Sequence, residues 1–361
     1  MDTLFVPSVL EESVSDDDLQ TATHTARQEI EARLGKKCGS RLWPRGWLRK
    51  VSAEEFIAWF REIVIHEPGA GNVALLFARV ILSIIGEAKS LSEGRKKAIA
   101  DLCSVINERP LPTALWADFV KDHLDNPAVI GRVLTCCVQN TAFTFTSRIQ
   151  EHIGQCYEYL LLTGNEPILV FGYSTTIVAT LRGLPSKVTR SLKVLTPKQS
   201  LPDRKDSDGT LLQQSIGGII SVDVLEDRDA KTRLRRGHIG LLLMGAKVIG
   251  KRETGHLEVV NSSYAHDYTT LASQSGIPTV VITGSYKLWP TREYEKYRPE
   301  IARYNRNSIV SGEHVTWILT EDRLFPQEKF RSVYEKWFTY DGIPLASIRE
   351  CLRGKKIGSH K

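Results

Sequence analysis

The sequence predicts an α/β protein in which a helical N-terminal domain precedes a doubly wound parallel sheet, and three observations carry that expectation. Helical periodicity dominates up to about residue 163. From Pro167 the period changes, and short apolar runs at 168–171, 192–196, 218–223, 239–244, 278–282 and 314–319 alternate with helix-compatible or loop segments. Within that half, 237–290 joins an apolar run, a Gly-interrupted turn, a helix-like run and a second apolar run, the unit from which parallel sheet is built.

Taken in order, residues 1–15 read as a flexible acidic lead-in, 16–163 as the helical domain, 164–345 as the sheet domain and 346–361 as a basic tail. Ser52 and Glu55 form a capping-box pattern, and Phe56, Trp59, Phe60 and Ile63 fall on one helical face as a core stripe. Further helices are expected at 72–88, 92–108, 113–124 and 128–162, with Cys136 and Cys137 as inert packing in the last. In the second half, 239–244 is apolar throughout, as a strand buried on both faces must be, and Gly245-Ala246 turns the chain at its carboxyl end. Asn261 is expected to begin a helix that Gly276-Ile277-Pro278 stops. Segment 198–209, rich in Pro, Asp, Ser and Lys, is the clearest loop. It follows the second strand, on the edge where open α/β sheets bind ligands.

Composition narrows the function classes. With 42% hydrophobic and 25% charged residues over 361 positions, the chain has enough apolar mass for a sizeable core. The formal charge of +6 is a small excess of 48 Lys and Arg over 42 Asp and Glu. The clusters at 233–236 and 353–356 read as solvated surface, and direct nucleic-acid binding is not expected. Six cysteines without CxxC pairs, and an acidic start where a secretory signal needs basic residues, lead to an expectation of a reducing compartment and cytoplasmic localisation. The longest apolar run, 73–85, is broken by Arg79, so no membrane association is expected. GxxxxGK[ST], GxSxG, HExxH and GxGxxG are all missing, which leaves no cofactor class supported. His256, His266 and Asp267 lack regular ligand spacing, and no metal is expected.

Three segments, in order, resemble the family that contains the regulatory alpha, beta and delta subunits of eukaryotic translation initiation factor 2B, methylthioribose-1-phosphate isomerase and ribose-1,5-bisphosphate isomerase. They are ILVFGYSTTIVATL (168–181), GAKVIGKRETGHLEVVNSSYAHDYTTLASQSGIPTVVITGSYKLWP (245–290) and VTWILTEDRLFP (315–326). The resemblance covers roughly 50–330 and implies a Rossmann-like, NagB/RpiA/CoA-transferase-like sheet domain, pairing through the α/β half as a homodimer or with a family relative, and a pocket at the carboxyl edge. It also implies ligand contacts at Gly172, Tyr173, Ser174, Thr175, Lys198, Gly245, Ala246, Glu258, Asn261 and Lys287.

The chain departs from the isomerases where their chemistry sits. Their cysteine in the first strand's loop is Gly172 here, which has no side chain to move a proton. Their aspartate aligns with Glu258, and Asn-Lys-Ile-Gly-Thr is replaced by Asn261-Ser262-Ser263-Tyr264-Ala265. Their phosphate-clamping arginine after the second strand is replaced by Thr196-Pro197-Lys198-Gln199, which offers at most the point charge of Lys198. The resulting expectation is a non-catalytic regulatory-subunit relative that contacts translation initiation factors and keeps a vestigial pocket for a sugar phosphate or nucleotide. Two alternatives stand beside it: a divergent aldose-phosphate isomerase using Glu258 and Asp229, and a family-derived accessory protein of another pathway.

Overall fold

The computed structural model describes residues 57–58, 60–61, 70–86, 88–107, 113–139, 166–199, 206–320 and 323–337. The chain divides into two compact units, one reaching Gln139 and one from Asn140 to Ala346. The lead-in at 1–15, the capping box, most of the 56–63 stripe, the helical run beyond 139, the expected 163/164 boundary and the tail lie outside the described residues.

The first unit contains helices α1 (Ala70–Ile85), α2 (Glu93–Asn107), α3 (Thr113–Asp122) and α4 (Pro127–Gln139), each within three residues of a predicted start. Their apolar faces meet, α1 against α4 and α2 against α3. Phe77, Ile81, Ile99, Leu102, Val120 and Leu134 are fully buried. Each such side chain contributes on the order of 1.5–3 kcal/mol of transfer free energy. Burial pushes the Cys103 thiol up to about 12, so it is unreactive packing. Cys136 and Cys137 fall in α4, but their side chains lie outside the described residues.

In the second unit, β1 (Ile168–Phe171), α5 (Thr175–Arg182), the single turn α6 (Ser186–Thr189), β2 (Lys193–Pro197), α7 (Asp208–Ile216), β3 (Ser221–Leu225), α8 (Asp227–Arg235) and β4 (Leu241–Gly245) follow one another. Next come β5 (Val248–Lys251), β6 (Leu257–Ser262), α9 (Ala265–Gln274), β7 (Thr279–Ile282), β8 (Leu288–Trp289) and α10 (Thr291–Arg303). The last elements are β9 (Asn307–Ser311), β10 (Trp317–Leu319), β11 (Leu324–Pro326) and α11 (Gln327–Val333). A seven-stranded sheet runs β11-β10-β7-β4-β1-β2-β3, and all six predicted strands are its parallel members. Only β11, at one edge, is antiparallel. Pleating explains the double winding. Ile168, Val170, Leu241 and Leu243 bury against α5 and α7, and Leu169, Phe171, Leu242 and Met244 bury on the other face with α8 and α9.

Two expectations fail locally. Asn261 does not begin a helix; it lies in β6, and α9 starts at Ala265. The segment after Gly245 first builds a second sheet, ordered β8-β5-β6-β9, that the sequence reading missed. Its inner face (Ile249, Leu257, Val259, Leu288, Val310) joins the core beside Met244, while its outer face carries α10. The Gly276-Ile277-Pro278 stop holds, with Gly276 at φ +67° closing α9 one residue past its cap.

Candidate functional site at the strand switch point

The chain leaves β1 toward β2 and β3, then returns to place β4 on the other side of β1. The carboxyl ends of β1 and β4 therefore flank the topological switch point, where the connecting loops diverge and leave a crevice. Gly172, Tyr173 and Ser174 follow β1 there, and Gly245 and Ala246 end β4.

Four loops converge on this point. A β-carbon built on Gly172 would stand 3.7 Å from Asp208 Oδ2, 3.7 Å from Gln199 Oε1 and 3.8 Å from Ser262 Oγ. Gly172 itself holds φ +75°, a conformation that favours glycine. One built on Gly245 would meet Ser174 Oγ at 2.8 Å, so the β1 and β4 loops touch. Asn261, buried at the end of β6, donates from Nδ2 to the Gly245 carbonyl at 2.6 Å, and its Oδ1 accepts from the Ser262 amide. This amide fixes the junction; both of its bonds are made to backbone.

Three properties make the crevice a candidate polar binding site. Ser174 caps α5 without a side-chain hydrogen bond, so the first amides of that helix keep their partial positive charge for an anion. Gln199, 7% exposed, has a buried Oε1 without a hydrogen-bond partner. Asp208, 4% exposed, brings a carboxylate to the same point. Among the described residues, the non-glycine positions with left-handed backbone are Gln199 at φ 45° and Tyr264 at φ 71°; one follows β2 and the other follows β6. Backbone strain of this kind, of order 1–3 kcal/mol per residue, collects at functional sites.

The other predicted positions are placed as follows. Thr175 opens α5, and Ala246 is core beside Met244. Tyr173 turns along the α7 side, where Ser215 Oγ meets its hydroxyl at 3.5 Å. Lys198 is exposed and pairs with Glu226 at 3.2 Å. Asp229 is exposed on the first turn of α8. Glu258 projects onto the α10 face of the second sheet, where it accepts from Tyr294 Oη at 2.7 Å and from Arg298 at 2.8 and 3.0 Å, with Arg252 at 3.5 Å. Glu258 and Asp229 share no partner among the described residues. Tyr264 is 61% exposed, with the Lys231 ammonium 5.7 Å from its ring centre.

Lys287 follows the carboxyl end of β7 and is 4% exposed. Its ammonium stands 5.5 Å from the centre of the Tyr286 ring. Burial alone lowers its pKa to about 8. Because the folded value lies below the ordinary 10.5, the unfolded chain binds more protons between the two, and stability rises with pH from about 8 to 10.5. Lys287→Met is expected to stabilise the protein at pH 7, by about 1–3 kcal/mol, and to flatten that rise; chemical denaturation at pH 7 and 9.5 measures both.

Sequence reasoning missed Asp208, Gln199 and Ser262. Asp208 carried a weak signal, since Ser207 caps α7 and places the next side chain at a helix start on the ligand edge. Gln199 carried none, because its left-handed backbone cannot be read from its residue type.

A helical unit, with four helices ranged among its described residues, and an α/β unit whose parallel sheet carries a second, mixed sheet beside its switch point define the fold class. Solved structures share it. The chain matches a subunit of the tetrameric eIF2B-beta2-delta2 complex from C. thermophilum at a TM-score of 0.55 and 14% identity, covering 80% of this chain and 96% of that one. It matches the Pyrococcus horikoshii OT3 translation initiation factor eIF-2B at 0.58 and 18%, covering 75% and 97%. The 5-methylthioribose 1-phosphate isomerase from Pyrococcus horikoshii OT3 matches at 0.52 and 14%, covering 78% and 88%. At these identities the likeness is one of fold, and the fold is the one the sequence resemblance implies. No protein-family model and no curated protein matches the chain by sequence. Among the described residues no helix is long and apolar enough to cross a membrane, and no group of His, Cys, Asp and Glu is arranged to hold a metal.

Proposed function

We propose that the chain is a non-catalytic relative of the eIF2B regulatory subunits, which works through protein contacts and holds a phosphorylated polyol in the switch-point crevice. One observation carries this reading: at Gly172 a hydrogen stands where a nucleophile or acid would be needed, while Asp208, Gln199 and Ser262 still ring that point beside the uncapped start of α5. Carboxylate and amide oxygens accept hydrogen bonds from ligand hydroxyls, and helix amides receive a phosphate. A sugar phosphate offers both groups in one molecule; a nucleotide is the comparison ligand. The isomerase alternative draws no support from Glu258, whose oxygens are taken up by Arg298, Tyr294 and Arg252.

Thermal-shift titration of the full chain against aldose phosphates tests the ligand. Wild type should be stabilised by about 2.7 kcal/mol at a concentration of 100 Kd. Asp208→Asn should keep its fold and lose most of that gain. Turnover of any aldose phosphate by the purified protein would overturn the non-catalytic reading. The C. thermophilum structure is of a beta2-delta2 tetramer, and by analogy this chain pairs with itself or a relative in the cytoplasm. A monomeric mass in light scattering, with and without the translation-factor subunits, counts against that part.

A further inference from the structure

The edge opposite the crevice carries an unmatched charge. Because β2, β1 and β4 are parallel neighbours, the connections that enter β2 and β4 both surface at the sheet's amino edge. The first brings Lys187, Arg190 and Lys193; the second brings Arg233, Arg235 and Arg236. All six are exposed, and none of these side chains makes an ion pair or hydrogen bond among the described residues. Of the carboxylates in the same stretch, Glu166 precedes β1 at this edge, and Asp223 lies midway up β3. The other described acids there, Asp206, Asp208, Glu226, Asp227 and Asp229, lie at or near the starts of α7 and α8 on the far edge. Among the described residues of this stretch, six cations thus face one carboxylate.

Favourable interaction with helix C-termini accounts for Lys187, Arg233 and Arg235. It extends to Arg236, the C-cap of α8, but does not account for Lys193, the first residue of a strand, and a single turn such as α6 offers Arg190 little dipole. The two groups reach the edge from opposite faces of the sheet, since α5 and α7 pack on one face and α8 on the other. β2 and β4 are separated by one strand, so the groups are spread over about 10 Å along the sheet as well. A patch this wide suits a repeating anion better than one phosphorylated side chain. Its apolar content is slight: of the exposed large apolar residues among those described, Ile219 precedes β3 at this edge and Tyr264 lies on the opposite one. Protein partners bind through buried aromatic or aliphatic anchors, and single-stranded nucleic acid binds through aromatic platforms. Among the described residues this edge offers one exposed aliphatic side chain and no exposed aromatic platform.

We infer that this amino edge binds the phosphate backbone of double-helical nucleic acid, without reading its sequence and independently of the crevice. This runs against the expectation drawn from the linear sequence, which shows no polybasic stripe, because the patch is assembled by topology from segments about 40 residues apart.

Fluorescence anisotropy of the full chain with 20-base-pair RNA and DNA duplexes of unrelated sequence tests it. Both should bind with similar affinity across sequences, and log K should fall against log salt with a slope of about −4 to −5, the value for some five neutralised phosphates. Arg190→Gln and Arg236→Gln should each lower the slope by about one, while Lys329→Gln, on exposed α11, should leave it unchanged. A preference for RNA over DNA would identify A-form geometry as the source of recognition. Absence of duplex binding at 50 mM salt would overturn the inference, as would equal loss in Lys329→Gln, or displacement by polyglutamate at matched charge that leaves an acidic protein as the better partner. Melting curves of each variant separate loss of binding from loss of fold.

Discussion

Gly250→Ala is expected to destabilise the α/β unit by about 3 kcal/mol or more, lowering its melting temperature by roughly 6–12 °C. Gly250 lies in β5 opposite Glu258, and the Tyr294 ring lies flat against its backbone. A β-carbon there would overlap the ring's Cγ and both Cδ atoms at less than 3.0 Å. Tyr294 cannot swing aside: it is fully buried, and its hydroxyl is tied to Glu258 at 2.7 Å. The added methyl must therefore push α10 off the second sheet. A double-mutant cycle with Tyr294→Ala separates this clash from any intrinsic effect of alanine in a strand. The pair should be more stable than the sum of the singles predicts, and additive losses would show that the ring is not the obstacle. Gly172→Ala is the contrast, since its nearest neighbours are 3.7 Å away and only the backbone conformation resists, at about 1–2 kcal/mol.

Arg298→Leu is expected to cost about 2–4 kcal/mol, because it strands the Glu258 carboxylate. Burial pushes the Glu258 pKa up, but hydrogen bonds from Arg298 and Tyr294, together with the charges of Arg298 and Arg252, outweigh it and hold the carboxyl below its ordinary value of 4.5. Arg252 is itself held by Glu295 at 2.6 Å, so it cannot close fully on Glu258 when Arg298 is removed. A depressed folded pKa means that this contribution is present above pH 4.5 and is lost as the pH falls through the folded value. Wild type should therefore lose stability steeply on acidification below pH 4.5, and Glu258→Gln should lose less while starting lower at pH 7. Parallel acid profiles for the two proteins would remove Glu258 from the balance.

Much of the architecture was legible because the central parallel strands β1 and β4 are apolar along their whole length. Runs such as Leu241–Gly245 can be little other than strands buried on both faces, and Gly276 and Pro278 punctuate the chain where α9 and β7 meet. The second sheet was hidden for the opposite reason. β5 and β8 are four and two residues long, one contains a glycine, and the polar turn Arg252 to His256 looks like a loop. β5 forms a hairpin with β6, but β8 joins the sheet by parallel pairing at long range, Leu288 with Ile249, which no local period reveals. The crevice was half legible. Position after a strand marked Gly172, Ser174 and Gly245, but Asp208 and Gln199 reach it through tertiary placement. Glu258, singled out by alignment with an enzyme's acid, sits on the outer face of the second sheet because β6 is a strand and alternates its side chains.

The double grip of Asn261 has a mechanical side. One amide spans the floor of the crevice, holding the tip of β4 with its nitrogen and the last residue of β6 with its oxygen. β6 also carries Glu258 and is tied through it to α10. A single six-residue strand is thus pinned near one end to the tip of β4 and near the other to an outer helix, so neither can shift without straining the other.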